Sequence, residues 1–168
     1  MPVDISVARG LEDLDGVSEI LREYLTWDID QLREISGVDL DAEAYVSNTF
    51  KEIASYFPPR GRLLLARDVH RLIGIGFLKP IGNNTCEIKR MYVLPDQRGK
   101  GLGRTLLARL IDEAKDIGYG KILLDSACYM EAAHSLYRSM GFTDVEYYPE
   151  GETDEALKEF LVYMEMRI

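Results

Sequence analysis

Hydrophobic positions in this chain switch between two periods, and the switches divide it into elements. Ile5 and Val7 alternate with polar neighbours, as in a short half-buried strand. Leu11, Leu14, Val17, Ile20, Leu21, Tyr24 and Leu25 then recur at three- and four-residue intervals, which predicts an amphipathic helix, and Asp30 to Asp39 reads as irregular. Asp41 is suited to cap a second helix carrying Ala44, Tyr45, Asn48 and Ile53, which must stop before Pro58-Pro59. Leu63 to Arg67 and Leu72 to Leu78 are β runs joined by the hairpin-like Asp68-Val69-His70-Arg71; Thr85 to Leu94 follows the turn Gly82-Asn83-Asn84. Three antiparallel strands are implied. Leu106, Leu107, Leu110, Ile111, Ala114 and Ile117 form one apolar stripe, ended at Gly118 as by a glycine C-cap. Lys121 to Asp125 is a buried-type strand, followed by a helix holding Tyr137 and ended by Gly141. Two last strands are expected around Val145 to Tyr148 and Phe160 to Met166.

The strand, helix and strand between Thr85 and Asp125 should form a right-handed crossover with parallel strands. The fold class is therefore α/β, a mixed sheet with helices on both faces. Its 168 residues, 46% hydrophobic, suit one domain spanning 1–168. No apolar run approaches the ~20 residues of a bilayer span, and Met1-Pro2-Val3-Asp4-Ile5 lacks the regions of a signal peptide. A cytoplasmic location without a membrane partner is expected. Cys86 and Cys128 read as free thiols. Neither they nor His70 and His134 have partners at zinc-site spacing, so no metal is expected.

Formal charge is −9, which argues against nucleic acid as a partner. The charge is unevenly placed. Six basic residues lie between Lys89 and Arg109 with only Asp96 against them, whereas Asp144 to Glu159 is acidic apart from Lys158. Within the basic stretch a strand runs into the glycine-rich turn Arg98-Gly99-Lys100-Gly101-Leu102-Gly103-Arg104, which opens a helix. Residues without Cβ let the backbone approach a ligand, and the first amides of a helix have no intrahelical acceptor, so the turn suits a diphosphate. It is not a nucleotide P-loop, because no Gly-Lys is followed by Ser or Thr. Nor is it a dinucleotide fingerprint, because Arg104 stands where the third glycine belongs.

Arg98-x-x-Gly101-x-Gly103, directly after a strand ended by Pro95, resembles the acyl-CoA loop of the GNAT superfamily of N-acetyltransferases. Downstream, Ala133-His134-Ser135-Leu136-Tyr137-Arg138-Ser139-Met140-Gly141-Phe142 resembles that superfamily's second signature, and the resemblance is nearly continuous from Thr85 to Phe142. It implies the GNAT acyl-CoA N-acyltransferase fold, a mostly antiparallel sheet splayed at one parallel pair, and acetyl-CoA as cofactor. By the same resemblance Met91, Tyr92 and Val93 would hold the pantetheine arm, the Val93 amide serving as oxyanion donor. The diphosphate would rest on Arg98, Gly99, Lys100, Gly101, Leu102, Gly103, Arg104 and Thr105. Met130 stands where many members carry a pantetheine-binding asparagine, a role methionine cannot fill.

The expected chemistry is direct acetyl transfer to the primary amine of a small molecule, with both substrates bound. An alkylammonium has a pKa of ~10, so a base must take its proton near neutral pH. Glu87 is the candidate, eleven residues before Arg98 as in the histone-acetylating branch. Strand alternation would put it on the same face as Val93. Tyr137 matches the family tyrosine and would protonate the leaving thiolate. Trp27, Arg90 and Tyr147 are candidate acceptor contacts: Trp27, Asp28, Asp30, Glu34 and the acidic late loop would suit a cationic amine, whereas Arg90 and Lys89 would suit a substrate carboxylate. A protein or peptide acetyltransferase and a non-catalytic acyl-CoA binding module are the alternatives. Homodimers are common in the family.

Overall fold

The computed structural model describes every residue except 1, 150 and 152. Seven strands form one sheet in the order β1-β2-β3-β4-β5-β7-β6. They are β1 (Asp4–Val7), β2 (Arg62–Asp68), β3 (Arg71–Pro80), β4 (Thr85–Val93), β5 (Lys121–Ala127), β6 (Thr143–Val145) and β7 (Leu161–Arg167). Every pair is antiparallel except β4 and β5, which run parallel through the crossover helix α3 (Leu102–Ile117). The mixed sheet and its single parallel pair agree with the sequence reading.

Helix α1 (Val17–Ser36) differs from the expected one at both ends. Gly16 takes φ 82 and separates Leu11–Asp13, a 3-10 turn, from the helix proper. At the other end the helix runs through the segment that read as irregular, because Ile29 and Leu32 extend the stripe of Leu21 and Leu25 and are equally buried. It stops at Gly37, whose φ of 71 lets its amide reach the Arg33 carbonyl at 2.9 Å. Helix α2 (Ala42–Lys51) begins as expected, with the Asp41 carboxylate accepting from the Glu43 amide at 3.0 Å.

The core lies on both faces of the sheet. On one, a β-carbon at Gly74 or Gly76 would stand 3.1 Å from Leu106 or 2.9 Å from Leu110, so these glycines let α3 close onto β3. On the other, Tyr56 packs edge-on against Phe77, and Tyr24 of α1 stacks on Tyr92 at 4.9 Å. Helix α4 (Glu131–Ser139) follows β5, and Gly141 closes it with φ 108. The penultimate strand is shorter than expected: Tyr147 and Tyr148 fall outside β6.

One irregularity in β4 alters the predicted faces. Lys79 pairs with Glu87 and Phe77 with Lys89, but Ile75 pairs with Tyr92, so Arg90 and Met91 together oppose Gly76. Arg90 takes φ 51, in the left-handed region. This bulge shifts the alternation by one residue. Glu87 consequently shares its face with Tyr92, not with Val93 as simple alternation predicts.

Candidate active site

The glycine turn has the expected open backbone. Gly99 takes φ 77 and Gly101 φ 84, and a β-carbon at either would meet nothing within 4 Å. Gly101 is the N-cap of α3 and no side chain caps it; Thr105 is the amide that first reaches back, to the Gly101 carbonyl at 3.1 Å. The preceding amides of the first turn are left to a ligand, at the positive end of the helix dipole. Gly103 lies within the helix, where a β-carbon would make an ordinary contact with Leu136 of α4 at 3.7 Å. The basic side chains brace the turn. Arg98 donates to the Val93 carbonyl at 3.0 Å and lies over the Tyr92 ring, while Arg104 donates to Ser139 at 2.9 Å. Lys100 donates to Gln97 at 3.3 Å.

Strands β4 and β5 pair only from Thr85↔Lys121 to Ile88↔Leu124 and then diverge. Beyond that point lies a cavity of about 140 Å³, walled by Arg90 and Met91, by Asp125 and by Tyr137. Two larger chambers lead to it. A groove of about 490 Å³ passes Met91, Tyr92 and Val93 and ends at the glycine turn, with Trp27, Tyr129 and Met130 on its other side. A second chamber, about 570 Å³, lies between α1, α2 and the segment Thr153 to Leu161. No lining residue is common to the two chambers, yet each shares several with the splay cavity. Asp28, Lys89, Arg90, Asp125 and Leu161 mark the junction on the second chamber's side.

The titratable groups at this junction are strongly perturbed. Burial pushes the Tyr137 phenol up to about 12, with the Asp125 charge adding to the effect, so the hydroxyl stays protonated at neutral pH. Burial also raises the Asp28 carboxyl, against a hydrogen bond donated by Tyr129. Glu87 is 1% exposed and likewise raised by burial, opposed by the nearby Lys89 charge. Its Oε2 accepts from the Tyr148 hydroxyl at 2.9 Å, and the Lys89 ammonium stands 3.7 Å from Oε1. Asp125 accepts from Thr153 at 3.0 Å. Arg90 has no hydrogen bond or ion pair among the described residues, and its Nε is buried without a partner.

A family model described as Acetyltransferase (GNAT) family matches residues 18–142. The chain belongs to the GNAT acetyltransferase family. The uncharacterized N-acetyltransferase C1271.07c of Schizosaccharomyces pombe is 32% identical over 148 residues, covering 87% of this chain and 86% of that protein. The L-amino acid N-acyltransferase MnaT of Escherichia coli is 37% identical over 78 residues, 46% of this chain and 45% of its own length. The fold matches that of the PaiA N-acetyltransferase of Thermoplasma acidophilum, solved in complex with coenzyme A, with a TM-score of 0.72 and 23% identity over the whole of both chains. As a GNAT enzyme this protein is an acyltransferase dependent on acetyl-CoA.

Within the GNAT site, the glycine turn, Met91 to Val93 and Tyr137 lie along one continuous path from groove to splay cavity. Trp27 lines the groove that ends at the glycine turn and meets Tyr129 edge-on at 5.8 Å. Tyr147 lines none of these three cavities; it packs edge-on against Tyr163 at 5.5 Å, with the Lys158 ammonium 3.9 Å from its ring centre. Glu87 lines none of these three cavities and lies behind Tyr148 and Lys89. His134 is buried and lines none either, in keeping with a packed histidine. Sequence reasoning passed over Asp125, and the only signal for it is an acidic residue closing an otherwise apolar strand. Of the acidic run at the end of the chain, Thr153, Asp154 and Leu157 reach the acceptor chamber, while Glu150 and Glu152 lie outside the described residues. Among those described, no group of three or more His, Cys, Asp or Glu is placed to hold a metal, and no helix is long and apolar enough to cross a membrane.

Proposed function

We propose that this protein acetylates the primary amine of a small molecule by direct transfer while both substrates are bound. The observation that carries the reading is the pair of separate chambers converging on one small cavity walled by Tyr137. The open turn at Gly99 and Gly101 and the uncapped start of α3 suit the diphosphate of acetyl-CoA, which supplies the acyl group as a thioester. The second chamber favours a metabolite over a protein, because its volume lies in the range of small-molecule pockets and α1, α2 and the late segment wall it in.

In this reading the amine enters past Asp28 and Asp125, whose carboxylates attract it as ammonium. Glu87 takes the ammonium proton through ordered water, since its carboxylate does not line the chamber; burial makes it a better base than an ordinary glutamate. The freed lone pair forms the new N–C bond as the C–S bond breaks. The Val93 amide donates to the carbonyl oxygen as charge gathers on it. Tyr137 holds a proton at Oη and gives it to the departing thiolate. The second proton, released by the nitrogen as the amide forms, restores the Tyr137 phenol, and the one held by Glu87 passes to solvent, so the products are the amide, the coenzyme A thiol and one proton.

The direct test is thiol release from acetyl-CoA with a panel of amino acids, polyamines, aminoglycosides and peptides. Acetylation of a small amine is expected, and turnover confined to peptides would overturn the small-molecule assignment. A second expected result concerns the turn. Gly101→Val puts a branched side chain in the open space of the cradle and forces it to φ 84. Affinity for coenzyme A should fall at least ~10-fold by calorimetry, each tenfold being ~1.4 kcal/mol. Circular dichroism should still report a folded protein.

A further inference from the structure

We propose that Arg90 is a carboxylate clamp, and that the acceptor is an α-amino acid with an apolar side chain, held as a zwitterion between Arg90 and the carboxylates of Asp28 and Asp125. This rests on the acetyltransferase reading and narrows its substrate class.

Arg90 is singled out first by its backbone. A β-bulge places this arginine at φ 51, in the left-handed region that non-glycine residues rarely adopt. Bulges re-aim side chains, and this one turns Arg90 into both the splay cavity and the acceptor chamber. Among the described residues the guanidinium finds no acceptor. Arg98 and Arg104 donate to a carbonyl and a hydroxyl, whereas Arg90 has its Nε buried and unpartnered, with the Tyr45 ring 6.0 Å away. Arg90 is half-buried, but its Nε is buried with no acceptor, and such a donor in a chamber wall is suited to an incoming anion.

Its charge is not merely a counterweight to the acids around it. Asp28, Asp125, Asp154 and Glu52 line the same chamber, and none of them forms an ion pair with Arg90. Opposite charges thus line one chamber without pairing, an arrangement matched by a molecule carrying both signs on neighbouring atoms. A carboxylate on Arg90 leaves the α-ammonium toward Asp28 and Asp125, which also wall the splay cavity where acyl transfer takes place. Leu25, Ile29, Leu32, Leu40 and Leu157 line the remainder of the chamber and suit an apolar side chain. Planar and bidentate, guanidinium is the natural partner of such a carboxylate, and lysine is no equivalent substitute.

The test compares L-amino acids with the amines that remain when the carboxylate is removed: phenylalanine with phenethylamine, and leucine with isoamylamine. The wild-type enzyme should prefer each amino acid by about 10²-fold in kcat/KM. In Arg90→Gln that ratio should collapse toward one, chiefly through a higher KM for the amino acid, and Arg90→Lys should restore only part of it. Equal use of the paired compounds by wild type, or equal losses for both in Arg90→Gln, would overturn the clamp. Binding is read independently of turnover by titrating N-acetylphenylalanine into coenzyme A-saturated protein. Binding that depends on Arg90, with no amine acetylated, would sustain the clamp and sink the acetyltransferase reading. Absence of binding to wild type would sink the clamp.

Discussion

Tyr137→Phe lowers turnover about 10²-fold or more and leaves the affinity for coenzyme A within a factor of ~2, because the change deletes one proton donor and little else. The ring packs beside Phe142 with centroids 6.0 Å apart, a contact phenylalanine preserves. What disappears is a hydroxyl on the wall of the splay cavity, kept protonated by burial up to about pH 12. A thiolate's conjugate acid has a pKa of ~8.5, so the phenol is a weaker acid than the group it serves; its value lies in position, not in proton-transfer driving force. Steady-state kcat together with coenzyme A calorimetry checks both halves. A turnover within a few-fold of wild type would make Tyr137 a core residue only.

Glu87→Gln produces the second large effect, and its size depends on pH. Without a base, only amine that is already neutral reacts, and that fraction rises tenfold per pH unit up to a pKa of ~10. The rate should therefore fall by ~10²-fold or more near pH 7 and approach the wild-type rate near pH 10. In the wild type the same group sets the acid limb: burial raises its pKa, so activity is lost as pH falls through a value above that of an ordinary glutamate. Tyr148 supplies a control. Its hydrogen bond to Oε2 favours the ionised form, so Tyr148→Phe should move the acid limb to higher pH, a displacement that a purely structural role for Glu87 would not produce. Coincident pH profiles for wild type and Glu87→Gln, measured as kcat/KM from pH 6 to 10, would remove Glu87 from the mechanism.

The glycine turn was legible in the chain because its shape rests on backbone. Glycines at fixed spacing, a strand before them and a helix after them leave a mark in sequence, and the structure places Gly99 and Gly101 in the left-handed region that this spacing suggests. The β-bulge left no comparable mark. Strand alternation is blind to one inserted residue, so the faces assigned beyond Lys89 were reversed, and Arg90 was a candidate by charge alone. The acceptor chamber was least legible, since Leu32, Thr49, Asp125 and Leu157 come together from distant elements. Asp30 to Asp39 read as irregular because three acids and a glycine obscure the two apolar positions that continue the helix. Trp27 and Tyr147 were candidates on aromatic character, which does not say which cavity a side chain lines.

The two mouths lie on either side of α1 and have no wall in common. In the proposed reading, carrier and amine therefore enter through different doors, and neither must wait for the other before it can settle.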